Sequence, residues 1–124
     1  MPQLRRAAGG LSRGRTGVGL LIRHIVFFTA RAPDDIEAIV AGLEKLGQIP
    51  SASHFEVRRN SRVDQIGNEV DVVVYAEFAD AAALAAYKAH PIYAETTRQV
   101  RPMRELRLAA DIETGADGST APEA

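Results

Sequence analysis

At 124 residues the chain has room for one domain and not for two of ordinary size. Fifteen basic residues against sixteen acidic ones leave a formal charge of −1, so nothing marks nucleic acid or an anionic membrane as a partner. There is no cysteine, which excludes disulfides, thiolate catalysis and cysteine metal sites and fits a cytoplasmic protein.

In chain order, the first twenty residues hold Arg5, Arg6, Arg13 and Arg15 among Gly, Ser and Thr. They show no period and read as a disordered basic arm. No apolar stretch approaches the roughly 18 residues of a membrane span. Leu21 to Ala30 is rich in Ile, Val and Phe and predicts a strand. Side chains alternate across a strand, so His24, Val26 and Phe28 share one face, and Ile25 and Phe27 the other. Pro33, Asp34 and Asp35 open a helix, with the acids at its positive end. Ile36, Ile39, Val40, Leu43 and Leu46 continue it at helical spacing, and Gly47 ends it before Pro50.

A second strand is expected over Ser53 to Arg59, where Phe55 and Val57 alternate with His54, Glu56 and Arg58. Asn60 to Asn68 is polar and reads as a loop. Val70 to Phe78 is apolar and β-branched, a third strand. Asp80 caps a helix running to about Ala89. Pro91 breaks that helix and starts another, which runs to between Val100 and Pro102. Met103 to Asp111 reads as the last strand. Residues 113–124 are low in hydrophobicity and are expected to be disordered, which leaves 21–112 as the folded domain.

The order β-α-β-β-α(α)-β is that of the ferredoxin-like, split βαβ motif, an α+β fold. It places helices on one face of a four-stranded antiparallel sheet. The other face is left bare, and a bare apolar face of that size marks an interface. His24, Val26 and Phe28 are expected there, with Val72, Val74 and Ala76 of the third strand. Two such sheets closing face to face would make a homodimeric barrel, with about 1,600 Å² buried if the interface is of standard size.

Several segments together resemble the stress-responsive α/β-barrel (Dabb) family. They are Ile22-Arg23-His24-Ile25-Val26-Phe27-Phe28, Phe55-Glu56-Val57 with Asn60, Glu77-Phe78, Tyr87-Lys88-Ala89-His90-Pro91, and Leu106-Arg107-Leu108 with Asp111. The resemblance implies a dimeric α+β barrel with a cavity between sheet and helices, and little about activity. One subgroup, plant polyketide cyclases, closes a linear polyketide by aldol condensation with a Tyr and a His in that cavity. The Tyr falls on Tyr87. The catalytic His falls where this chain has Tyr93, and a second cavity His falls on Val72. His24 matches a cavity histidine of the first strand.

The candidate catalytic residues are therefore His24, Tyr87 and Tyr93. A histidine changes charge near neutral pH and suits a general base, and a tyrosine hydroxyl suits an acid or oxyanion donor. The residues expected to contact a ligand are His24, Val26, Phe28 and Val74 of the strands and Ile39, Tyr87 and His90 of the helices. His90, before Pro91, also suits a purely structural place at a helix end, where free carbonyls accept hydrogen bonds. His54 is expected at the surface. The three histidines fall on separate elements, so no metal site is expected, and no cofactor motif is present. Two functions follow as expectations. The first is a homodimeric barrel whose small apolar cavity binds a small hydrophobic or aromatic molecule. The second is a cofactor-free enzyme, a polyketide cyclase, isomerase or monooxygenase, using His24 and Tyr87.

Overall fold

Four antiparallel strands pair in the order β2-β3-β1-β4 over residues 20–115, the part of the chain that this computed structural model describes. The strands are β1 Leu20–Ala30, β2 His54–Arg59, β3 Val72–Phe78 and β4 Arg104–Gly115. The helices are α1 Ile36–Glu44, α2 Ala81–Ala89 and α3 Pro91–Val100. Short 3-10 turns, Pro33–Asp35 and Lys45–Gln48, flank α1. This is the ferredoxin-like α+β architecture expected from the element order. Leu20, the last residue of the expected arm, instead begins β1; the rest of the arm and most of the expected tail, residues 1–19 and 116–124, lie outside the described residues.

The local signals act as chain physics requires. The Asp80 carboxylate accepts from the Ala83 N–H at 2.8 Å, satisfying a donor that the first turn of α2 leaves free. His90 ends α2 and caps α3, its Nδ1 accepting from the Ile92 N–H at 3.1 Å, with Pro91 at the first helical position. Gly42 lets α1 and α3 approach closely, for a Cβ there would lie 3.0 Å from Val100 Cγ2.

β4 runs beyond its expected end. The segment from Ile112 to Gly115, assigned mostly to the disordered tail, pairs with Arg23 back to Leu20. Backbone hydrogen bonding to β1 extends the strand where composition alone predicts none.

The bare face is also not the one expected. His24, Val26 and Phe28, with Val72, Val74 and Ala76, point to the helices and are buried. They pack against Ile39, Leu43, Leu46, Tyr87 and Val100 in the core. The uncovered face carries Arg23, Ile25 and Phe27 of β1, Val73, Tyr75 and Glu77 of β3, and Leu108, Ala110 and Ile112 of β4. Both faces of β1 are apolar, so its alternation does not say which one meets the helices. The polar residues of β2 decide it, because His54, Glu56 and Arg58 lie opposite Glu77, Tyr75 and Val73. On the uncovered face Phe27, Leu106, Leu108 and Ile112 remain more than a third exposed.

Candidate functional site

A cavity lies between the helix-covered sheet face and the three helices. Its floor is His24, Val26 and Phe28 of β1 and Val74 of β3. Leu43 and Leu46 close one side. Tyr87 of α2, with Tyr93, Thr96, Thr97 and Val100 of α3, forms the roof, and Arg104 and Arg107 of β4 stand at the end. The room for water centres is about 30 Å³. At the roughly 10–15 Å³ each water needs, that is space for two or three.

The polar wall is built around His24. The alternation of β1 turns this side chain inward, where it is 1% exposed. Its Nδ1 meets Asp111 Oδ1 at 2.6 Å, the two residues being register partners on β1 and β4. A carboxylate can only accept, so Nδ1 carries the proton in this contact, and Nε2 of a neutral ring is then the nitrogen able to take one up. The imidazole also stands edge-on to Phe78 and Tyr87, with ring centroids 6.2 and 6.0 Å away. These aromatic edges hold the ring in place.

Tyr87 and Tyr93 lie on successive helices with ring centroids 5.3 Å apart. Burial pushes the Tyr87 phenol well above the usual tyrosine range. The neighbouring Tyr93 adds to the rise, and Arg107 opposes it. Tyr87 therefore keeps its proton at neutral pH and can serve as a hydrogen-bond donor. Arg107 Nη2 donates to Tyr93 Oη at 3.4 Å, which ties α3 to β4. The Thr96 hydroxyl is buried without a hydrogen-bond partner among the described residues, although its residue lines the cavity.

Of the residues singled out in the sequence, His24, Tyr87 and Tyr93 come together on this cavity, as do Val26, Phe28 and Val74. Ile39 is fully buried but contributes no lining surface, and His90 is engaged in capping α3. His54 lies exposed on the uncovered face, with Nε2 2.6 Å from Glu56 Oε2. Asp111, Thr96, Arg104 and Arg107 were not foreseen as site residues. No cluster of metal-ligating side chains occurs among the described residues.

The family model for the stress-responsive A/B barrel domain, Dabb, matches residues 22–114. The chain belongs to this family. Solved structures agree. A dimeric ferredoxin-like protein of unknown function from Thermobifida fusca is 26% identical, with a TM-score of 0.65 over 76% of this chain and 91% of that one. A Dabb family protein from Mesorhizobium loti is 28% identical, with a TM-score of 0.62 over 74% of this chain and 94% of that one. A hydroxynitrile lyase from Passiflora edulis has a TM-score of 0.66 over 82% of this chain and 97% of that one, at 18% identity, a likeness of fold alone. No curated protein matches the chain. Among the described residues of this Dabb domain, no helix is long and apolar enough to cross a membrane.

Proposed function

We propose that this Dabb protein is a cytoplasmic homodimer whose cavity binds a small hydrophobic or aromatic molecule. The observation that carries the binding role is the cavity wall itself. Val26, Phe28, Leu43, Leu46, Val74 and Val100 give it an apolar lining, and His24, two tyrosines, two threonines and two arginines add polar groups that can orient a ligand, a combination found in small-molecule sites. The cavity is narrow in the single chain, so a ligand larger than a few waters enters by moving the α3 side chains. The dimer follows from the apolar stripe on the uncovered sheet face, and the dimeric relative from Thermobifida fusca supports it. The absence of cysteine suits a reducing compartment.

Native mass spectrometry of the protein purified from its own cells tests this reading. A dimer that carries an additional small-molecule mass, released on denaturation, supports it. A monomer removes the dimer, and a bare dimer that takes up no apolar molecule on titration removes the binding role.

A second reading has its own observation, the His24–Asp111 contact at 2.6 Å. A buried histidine oriented by a carboxylate is the arrangement of a general base, and Tyr87 beside it is a protonated donor for a developing oxyanion. The chain is then a cofactor-free enzyme that moves a proton at a carbon acid in the cavity. His24→Asn would abolish turnover while the protein stays folded and dimeric. Retained turnover in that variant would remove the catalytic reading and leave the binding one.

A further inference from the structure

The end of the cavity is strongly basic. Arg31, Arg101, Arg104 and Arg107 surround an open recess of about 400 Å³, with Glu105 the only acid on its wall. Arg104 and Arg107 line both this recess and the apolar cavity, so the two spaces adjoin. Among the described residues, the ion pairs of this protein engage other arginines: Arg58, Arg59, Arg62 and Arg98. None of the four recess arginines has a carboxylate partner there. Burial lowers the proton affinity of the Arg104 guanidinium, and crowding by Arg107 and Arg101 lowers it further. A bound anion relieves that crowding.

Four uncompensated guanidinium groups at the mouth of an apolar cavity match one ligand shape. We propose that the cavity takes an amphipathic anion, with a carboxylate or phosphate head held by Arg101, Arg104 and Arg107 and an apolar body reaching inward toward His24. This deepens the cavity-binding reading and rests on it. The guanidinium fork fits both oxyanions, donating two parallel hydrogen bonds in a geometry that a lysine does not offer. The polarity is set by register. Arg107 pairs with Phe28 and Asp111 pairs with His24. Those two rows are four residues apart, or about 13 Å along a strand. A ligand with its head at the arginines therefore lays its body along β1 in the direction of the imidazole. The unpartnered Thr96 hydroxyl on the cavity wall offers one polar contact to the body of such a ligand.

The test is calorimetric titration of the full-length protein with octanoate, octyl phosphate and the neutral octanamide. The same three titrations are run on the Arg101→Ala/Arg104→Ala variant, after checking that its melting temperature is unchanged. The expected result is that at least one anion binds about tenfold more tightly than the amide, equivalent to about 1.4 kcal/mol. The double variant should lose that margin, binding the anions no more tightly than the amide. Comparison of octanoate with octyl phosphate then identifies the preferred head. If the amide binds as tightly as both anions, the anionic head is overturned while the apolar cavity stands. If none of the three binds, both readings fall. Should the double variant melt early, salt replaces it as the probe. The anion's affinity must then fall as ionic strength rises while the amide's does not, and equal salt response of the two overturns the proposal.

Discussion

Asp111 Oδ1 lies 2.6 Å from His24 Nδ1, and the pair spans the boundary between core and solvent. The His24 side chain is 2% exposed and that of Asp111 is 39%. A hydrogen bond to a charged group contributes about 1.5–3 kcal/mol, less where water competes for the carboxylate. Asp111→Ala is therefore expected to lower stability by about 1 kcal/mol, because the buried Nδ1–H is left without its acceptor. Urea unfolding measures this. An unchanged midpoint would mean that solvent or another acceptor replaces the carboxylate at no cost, and the contact would lose its orienting role.

The exposed stripe of Phe27, Leu106, Leu108 and Ile112 has a different consequence. A carboxylate placed at its centre is solvated in a monomer and desolvated without a partner in a face-to-face dimer. Leu108→Glu is expected to convert a dimer into a folded monomer, read by light scattering on a sizing column. A wild-type chain that is already monomeric, or a variant that stays dimeric, would show that the interface lies elsewhere.

Much of this fold was legible because punctuation and period agreed. Pro33, Asp80 and Pro91 mark helix starts through fixed φ angles and side-chain caps, and the strands start within two residues of where Leu21, Ser53, Val70 and Met103 put them. What alternation could not supply was the choice of face on β1, whose two sides are equally apolar. That choice depends on which strands lie beside it, a tertiary fact. The site was readable to the same depth. His24, Tyr87 and Tyr93 share a cavity, but each was placed by resemblance and by helix or strand phase, not by any knowledge of the register. Asp111 is 87 positions from His24, so only the pairing of β1 with β4 makes it a partner. For Arg104 and Arg107 the sequence shows only a place on the last strand, because the recess they share with Arg31 and Arg101 exists only after folding.

The Tyr87 phenol is buried and its pKa is raised, chiefly by loss of solvation. The folded state therefore binds this proton more tightly than the unfolded chain, in which tyrosine ionises near 10. Its contribution to stability is fully present below about pH 10 and is lost as pH rises above that value. Between about pH 10 and the folded-state pKa, each unit of pH removes up to about 1.4 kcal/mol through this one group. Tyr87→Phe should flatten the decline of stability above pH 10 relative to the wild type, whatever its effect at neutral pH. Parallel declines in urea titrations of the two proteins would show that the phenol ionises as freely in the fold as outside it.

Thr96 stands on α3 in the cavity wall. Its hydroxyl is buried in the cavity wall with no partner among the described residues, and leaving such a group unsatisfied costs about 1–3 kcal/mol. Valine has nearly the same shape and no polar atom. In the ligand-free protein Thr96→Val is therefore expected to raise stability by about 1 kcal/mol, an unusual direction for a core substitution. Thermal and urea unfolding both report it. Destabilisation instead would show that the hydroxyl is satisfied in solution, by water held in the space between Thr96 and His24. The cavity would then be hydrated at rest, and a ligand would enter it by displacing ordered water rather than by filling an apolar void.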